Sequence, residues 1–433
     1  MIVAGSMIGS GIFIVSTEMT NYVGSSGWLI LAWVVAGFLT VAAAVSYGEL
    51  SAMFPKAGGQ YVYLREAFGP LTGFLYGWSL FSVIQTGTIA AVGVAFSKFA
   101  AYIFPALGPD NLIIDFGITD PDHPLLKIGL QGISAAQLVS LVMVILLTYI
   151  NTKGVEGGKM IQTVFTITKL LSLFGLIIFG LVLAASSEIW NANWTNAWEA
   201  KRLIPETGEW KHAIGLAVAP LFASALVGSI FSSDAWNNVT FIAGEIKKPE
   251  KNIGLSLFLG TLIVTIIFIA TNLMYLSVLS LNEIATAPDG RVSLAAAIKI
   301  FGGAGASVIA VMIMISTFGC NNGLILSGAR VYYTMAKDKL FFKEAGRLNK
   351  HNVPAFALWT QGVWTCLLCL SGTYNQLLTY VVFVVVIFYA LTLLGIFRLR
   401  KKRPDLPRPY KAFGYPLLPI IYCVMAFLIC GAL

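Results

Sequence analysis

Gly9-Ser10-Gly11 is the first place where this chain could do chemistry. The stretch Gly5-Ser6-Met7-Ile8-Gly9-Ser10-Gly11-Ile12-Phe13 sets three glycines and two serines among apolar residues. Glycine weakens a helix by roughly 1 kcal/mol relative to alanine, so the triplet invites the helix to unwind. Bare backbone N–H and C=O groups are costly in hydrocarbon unless they face protein or a water-filled cavity. An unwound turn there offers amide donors beside carbonyl acceptors, and the N-terminus of the half-helix that follows favours an anion. Gly5 and Gly9 also form a small-xxx-small pair suited to close helix packing, but packing alone does not need Gly11.

A second interruption lies at Gly228-Ser229-Ile230-Phe231-Ser232-Ser233-Asp234-Ala235-Trp236. Three serines, a glycine and an aspartate break an otherwise apolar run, and an acid at membrane depth is a functional candidate. Asp234 could equally cap a helix restarting at Ala235, and the two roles are compatible. Lys169 is the third candidate. A cation at the bilayer centre costs on the order of 3 kcal/mol, so it either faces the bundle interior or snorkels about two turns back to the interface. Lys159 already occupies that interface, which favours the interior.

Other chemistries are poorly supported. The five cysteines, Cys320, Cys366, Cys369, Cys423 and Cys430, all fall in apolar runs, where a thiol acts as a small apolar group. The Cys366–Cys369 C-x-x-C has no second pair and no nearby histidine. His123, His212 and His351 lie in or beside loops. No H-E-x-x-H, G-x-S-x-G or P-loop is present, so an enzyme, a metal or cofactor site and a nucleotide-driven pump are not expected. A channel would need a continuous polar lining; this chain has two localised breaks and one or two buried charges.

The elements that position these groups follow from composition. The chain is 57% hydrophobic and 11% charged, with mean hydropathy +0.81, far from the roughly 25% charged residues of soluble domains. Apolar runs long enough for a ~30 Å hydrocarbon core predict eleven helical crossings near 1–20, 27–53, 70–104, 135–151, 160–186, 213–242, 253–280, 303–336, 355–371, 374–399 and 414–433. No segment alternates as an outer-membrane barrel strand would. With a cytoplasmic amino terminus, the loops 54–69, 152–159, 243–252, 337–354 and 400–413 and their flanks collect about 20 of the 28 Lys and Arg residues. The loop at 105–134 instead carries Asp110, Asp115, Asp120 and Asp122. This positive-inside bias assigns the net charge of +8 to topology and anionic lipid, not nucleic acid. The expected location is the cell membrane, with multiple crossings. Both ends read as truncated, with a short first half-helix and an apolar run ending at Leu433; a cleavable signal peptide is a poor reading of Met1–Ala4.

The breaks fall in the first and sixth crossings. Interrupted helices at corresponding places in two halves point to an inverted-repeat architecture with its site at the midplane. The expected fold is thus all-α and polytopic, with five-plus-five inverted repeats (1–186 and 213–399), broken helices 1 and 6, and at least one extra helix near 414–433, all in one domain. The repeat rests on layout alone.

Four motifs now carry a resemblance. Gly5–Phe13 resembles the first-helix signature of permeases in the amino acid–polyamine–organocation superfamily. Tyr47-Gly48-Glu49-Leu50-Ser51-Ala52-Met53-Phe54-Pro55-Lys56-Ala57-Gly58-Gly59-Gln60-Tyr61 resembles their loop after helix two. Trp236–Pro249 is similar to the end of their sixth helix, and Arg398–Tyr410 to the basic segment between helices ten and eleven. The nearest branch is the L-type amino acid transporters and their bacterial exchanger relatives, which have twelve crossings.

The resemblance implies that amides at Gly9, Ser10 and Gly11, with Ile12 adjoining, bind a substrate carboxylate. Carbonyls at Met7, Phe231 and Asp234 would receive the ammonium, with Phe231 as an aromatic gate and Ser232 and Ser233 shaping the pocket. Lys169 matches a fifth-helix lysine of the branch, near where sodium-coupled relatives hold a cation, so a fixed ammonium there implies sodium independence. Ser316 and Thr317 are weaker candidates for the same region. Many relatives have tyrosine where this chain has Ser233, and glycine at Ala235. Asp234 replaces the glycine of large-neutral-amino-acid carriers, which leaves cationic substrates open. Animal members tether a partner through a cysteine in the loop after helix three; 105–134 has none, so no disulfide-linked heavy subunit is expected. The expected activity is sodium-independent exchange of small neutral α-amino acids by alternating access. Proton-coupled symport, including of cationic amino acids or polyamines, is the alternative, and a channel the alternative of another class.

Overall fold

The computed structural model describes residues 2–117, 132–204, 207–371 and 374–432, the side chains of 2, 155–163 and 245 excepted. Glycine and serine do at the first crossing what their propensities dictate: helix α1 (Ile2–Met7) stops, three residues bend, and α2 (Gly11–Val23) begins. Helices α3 (Ser26–Met53), α4 (Gly59–Phe68), α5 (Pro70–Ile103), α6 (Ala135–Thr152), α7 (Val155–Phe179) and α8 (Ser187–Thr195) follow. The sixth crossing divides into α9 (Val218–Ser232) and α10 (Asn238–Phe241). Then come α11 (Pro249–Val278), α12 (Leu281–Ala285), α13 (Val292–Lys337), α14 (Ala355–Ser371), α15 (Tyr374–Lys402) and α16 (Leu417–Ala432).

Among the described residues, eight helices are long and apolar enough to cross a membrane. The shorter apolar α14 and α16 and the split first crossing bring the spans to the expected eleven. The first crossing packs on the sixth, the second on the seventh and the third on the eighth, each on its counterpart five crossings later. The eighth also packs along the fifth, which brings α7 beside α1.

Several connections hold more structure than the sequence reading gave them. The stretch 54–69, read as a loop, contains α4, whose Tyr61 hydroxyl donates to Asp338 at 2.9 Å and whose Arg65 pairs with the same carboxylate. The connection 105–134 includes strand β1 (Leu112–Asp115) paired antiparallel with β2 (Gly132–Ser134), Leu112 facing Ser134. Asp120, Asp122, His123 and Lys127 lie outside the described residues, as does the side chain of Lys159. The connection before α9 carries α8 and a hairpin of β3 (Lys201–Ile204) with β4 (Glu209–His212). Helix α13 is two helices end to end: Gly302, at φ 72° and ψ −176°, is non-helical and divides 292–301 from 303–337, so the long crossing starts where the sequence places it.

These connections define two ends of the bundle. The hairpin end carries β1–β4 and residues 281–291. The basic end carries α4 and the segments around 245, 345 and 408. There Glu49 of α3, fully buried, accepts from Arg400 Nε at 2.9 Å, Arg400 Nη2 at 2.6 Å and the Ala412 amide at 2.7 Å. A buried carboxylate must be paired and hydrogen-bonded, and this one ties the basic segment after α15 onto α3.

Candidate functional site

At the first break, the Ile8 amide still reaches Ala4 O at 3.0 Å, but the Gly9 amide folds back on Met7 O at 2.9 Å. Helix α2 starts with no side-chain cap: Ser10 occupies the N-cap position, yet its hydroxyl bonds to Tyr374 OH at 3.2 Å. The first amides of α2 are therefore left facing the break, an anion-attracting arrangement.

The carbonyls on the other side of the break have a cation. Lys169 Nζ donates to Gly5 O and Ile8 O, both at 2.8 Å, and the side chain is fully buried. Lys169 thus faces the interior and does not snorkel. It lies where α1 ends and exposes carbonyl oxygens that no further turn can use. Among the described residues no carboxylate lies within ion-pairing distance of it. Its charge is held by backbone dipoles alone.

The sixth break is built differently. Ser233 and Asp234 amides turn back to Ser229 O at 3.0 Å and Phe231 O at 3.2 Å. Ala235 takes φ 63°, the left-handed region that disfavours any residue with a Cβ. Helix α10 restarts only at Asn238, with Asn237 as its N-cap. Asp234 therefore does not cap a helix beginning at Ala235, contrary to that expectation. The positive φ turns the chain before a helix can start. The carboxylate instead accepts a bond from Tyr389 OH. Tyr389 is held by ring contacts to Trp236 at 5.1 Å and Tyr47 at 5.8 Å.

The two breaks meet. A Cβ on Gly11 would lie 2.1 Å from Ser232 Oγ and 2.9 Å from Ser232 Cα, so only glycine permits this approach. Met7, Gly9, Ser10, Gly11 and Ile12 of the first break are buried, as are Phe231, Ser232, Ser233 and Asp234 of the sixth. The Met7 carbonyl accepts one amide, from Gly9, and keeps a second lone pair, whereas the Phe231 carbonyl accepts from both the Ser233 and Asp234 amides. Ile12 O accepts from Tyr275 OH at 3.3 Å. The Ser232 hydroxyl is spent on Gly228 O at 2.9 Å. Phe231 meets Tyr374 edge to face, centroids 6.2 Å apart.

Two small cavities flank Asp234. One, with room for about one water, is bordered by Gln60, Tyr76, Gln85, Asn237 and Asn238. The other, of the same size, is bordered mainly by apolar residues such as Leu39, Ile230 and Tyr422.

Ser316 and Thr317 are not drawn to the break by any hydrogen bond. Thr317 donates to carbonyls of its own helix, Ile313 O at 3.0 Å and Met314 O at 2.9 Å. The buried Ser316 hydroxyl has no partner among the described residues. The residue of α13 that reaches the break is Cys320, whose thiol lies 3.4 Å from Ser6 O and 3.0 Å from the place of a Gly9 Cβ. Sequence reasoning set Cys320 aside as an apolar filler and missed Tyr374, Tyr389 and Gln60. The available signal was that a tyrosine buried in a crossing needs a hydroxyl partner; Tyr380, 63% exposed, shows how ambiguous that signal is.

Comparison with known proteins agrees with this geometry. A family profile described as "Amino acid permease" matches residues 1–433. The serine/threonine exchanger SteT of Bacillus subtilis (strain 168) is 29% identical over 435 residues, covering 100% of this chain and 88% of the relative. The human large neutral amino acids transporter small subunit 2 is 29% identical over 431 residues, covering 99% of this chain and 73% of its own length. The rabbit (Oryctolagus cuniculus) b(0,+)-type amino acid transporter 1 is 27% identical over 411 residues, with 95% and 76% covered.

Proposed function

This chain belongs to the amino acid permease family, and we propose that it exchanges small neutral α-amino acids by alternating access, without sodium. The observation that carries this reading is the apposition of the two breaks at Gly11 and Ser232. It brings the uncapped amides of α2 together with the Met7 carbonyl, which keeps a spare lone pair, and the carbonyls of the sixth break. A zwitterion needs donors and acceptors close together, and two unwound backbones supply both without a charged side chain.

The carboxylate goes to the amides of Ser10, Gly11 and Ile12, with the Gly9 amide released only if the substrate displaces it from Met7 O, and the ammonium to carbonyls of Met7, Phe231 and Asp234. The side chain points toward Asp234, where the flanking cavities are small and Ser232 and Ser233 set the width. Phe231 closes the hairpin side. Lys169 supplies a covalently fixed ammonium donor at the end of α1, in place of a mobile cation. Movement of the first and sixth crossings relative to the third and eighth alternates access, and Lys169, bonded to the Gly5 and Ile8 carbonyls, travels with the first. The basic end faces the cytoplasm of a cell membrane, following the charge bias. The segment 105–134 offers no cysteine for tethering a partner, so the chain works without a disulfide-linked one.

The test is uptake of labelled L-serine by proteoliposomes. Exchange predicts that unlabelled amino acid outside accelerates efflux of preloaded label and that removing sodium changes nothing. Absence of acceleration, with uptake following an imposed pH gradient, would overturn exchange in favour of proton symport. One observation favours a second reading, in which cationic amino acids are also accepted: Asp234 keeps a buried carboxylate at the side-chain end, bonded by the Tyr389 hydroxyl and the Ala235 amide and by no cation among the described residues. Competition by L-lysine against labelled serine decides it.

A further inference from the structure

At the hairpin end a vestibule of about 1020 Å³ opens above the breaks. Its wall contains groups of both signs: Glu18 from α2, Lys98 from α5, Arg202 from β3 and Asp289 from the segment before α13. Asp289 is committed to Arg291 at 2.6 Å. Glu18 and Lys98 are not committed in this way. Among the described residues neither has an ion-pair partner within 4 Å. Glu18 accepts only the Tyr22 hydroxyl, at 3.3 Å. Lys98 Nζ donates to the Asp289 backbone carbonyl at 3.1 Å and sits 5.4 Å from the centroid of the Tyr374 ring. A second cavity of about 600 Å³ shares Val15, Glu18, Tyr22 and Asn375 with the vestibule and continues down to Gly228, one turn above Ser232.

Tyr374, buried and next in sequence to Asn375 of the vestibule wall, is the part that matters. Tyr374 carries Lys98 on one side, meets Phe231 edge to face, and holds Ser10 of the first break through its hydroxyl. An ammonium over an aromatic face is worth about 0.5–2 kcal/mol, more when desolvated. The same ammonium would gain a charge-assisted bond from a carboxylate. A ligand carboxylate that takes Lys98 thus competes with the contact that holds Tyr374 over Ser10.

We propose that the vestibule is a capture site for an α-amino acid zwitterion, distinct from the site between the breaks, in which Glu18 takes the ammonium and Lys98 the carboxylate. Asn21 and Asn375 add amide groups to the same wall. Capture draws Lys98 from Tyr374, so loading the vestibule loosens the ring that holds Ser10 of the first break. The inference rests on the amino acid permease reading for the class of ligand; the position of the site rests on Glu18, Lys98 and Tyr374.

Glu18→Gln keeps the side chain's volume and its acceptor for Tyr22 while removing the charge. Equilibrium dialysis of the purified chain with labelled L-serine at millimolar concentrations is expected to give two sites per chain in the wild type and one in Glu18→Gln. Glu18→Asp restores the second. In proteoliposomes with the hairpin side outward, Glu18→Gln raises KM about three- to tenfold and leaves the maximal rate within twofold, a split that general damage to the fold would not give. Lys98→Met also loses the second site, while its uptake falls less steeply with added unlabelled serine. One site in both wild type and Glu18→Gln with the same KM, or no binding at all, overturns capture. A Glu18-dependent site in a chain that moves no serine would sink the transport reading and leave capture standing; uptake without such a site would do the reverse.

Discussion

The first interruption is made by removing side chains, the sixth by adding them. Between α1 and α2 the chain uses two glycines and a serine, and borrows a lysine from the fifth crossing to load the freed carbonyls. Between α9 and α10 it uses Asp234, Trp236 and Asn237, and accepts left-handed backbone at an alanine. Asn237 Nδ2 donates to Gln60 Oε1 at 3.0 Å, and Gln60 Nε2 passes the chain on to Thr392 at 3.0 Å. The first break therefore depends on close approach and one distant cation. The sixth depends on local polar bonds and a strained residue. The difference teaches that a helix can be opened at membrane depth from either direction, provided the freed backbone groups meet protein or line a cavity. It also sets the polarity of the site: unshielded amides on one side, a carboxylate on the other.

The largest effect is expected at Gly11. Gly11→Ala puts a Cβ 2.9 Å from the backbone of Ser232 as well as against its hydroxyl, and overpacking of this kind costs about 1–3 kcal/mol. Labelled serine uptake in proteoliposomes should fall to background while the protein still reaches the membrane. Retained uptake would show that the two breaks need not touch. Next comes Lys169→Met, which leaves the Gly5 and Ile8 carbonyls without their shared donor. A buried unsatisfied group costs about 1–3 kcal/mol, so uptake should drop more than tenfold (about 1.4 kcal/mol) with a lower melting temperature. An unchanged kinetic profile on both membrane faces would remove Lys169 from the mechanism.

Legibility divides along the same line. The first break was readable because glycine acts on its own chain: Gly9-Ser10-Gly11 unwinds whatever surrounds it. Lys169 was readable because a cation in an apolar run has few places to go. The sixth break was located correctly, yet the role of Asp234 was read partly as a cap. Its partner, Tyr389, is 155 residues away, and nothing local announces it. Ser10 and Tyr374 are 364 residues apart, and Cys320 reaches Ser6 over 314. Crossings followed from run length, since hydropathy needs only one segment at a time. Helix α4 and the β hairpins did not, because their apolar residues are too few and too short to register as spans.

Smaller effects sharpen the sixth break. Asp234→Asn should leave neutral amino acid uptake within about threefold, since asparagine keeps an Oδ1 acceptor for the Tyr389 hydroxyl. Inhibition by L-lysine should disappear with the charge. Lysine inhibition that survives would place cationic recognition elsewhere. Smallest of all, Ala235→Gly removes a Cβ from left-handed backbone and should stabilise by about 1 kcal/mol, read as a slightly higher melting temperature in detergent. A fall would mean that Ala235 contributes packing that outweighs its strain.

The central claim is that both breaks together hold the amino acid backbone. Electron cryomicroscopy of the chain with L-serine tests it directly. The account predicts the carboxylate within hydrogen-bonding distance of the Ser10, Gly11 and Ile12 amides and the ammonium on the Met7 and Phe231 carbonyls, with Lys169 still on Gly5 and Ile8. Ligand density elsewhere in a chain that transports serine, with both breaks closed and empty, would contradict it.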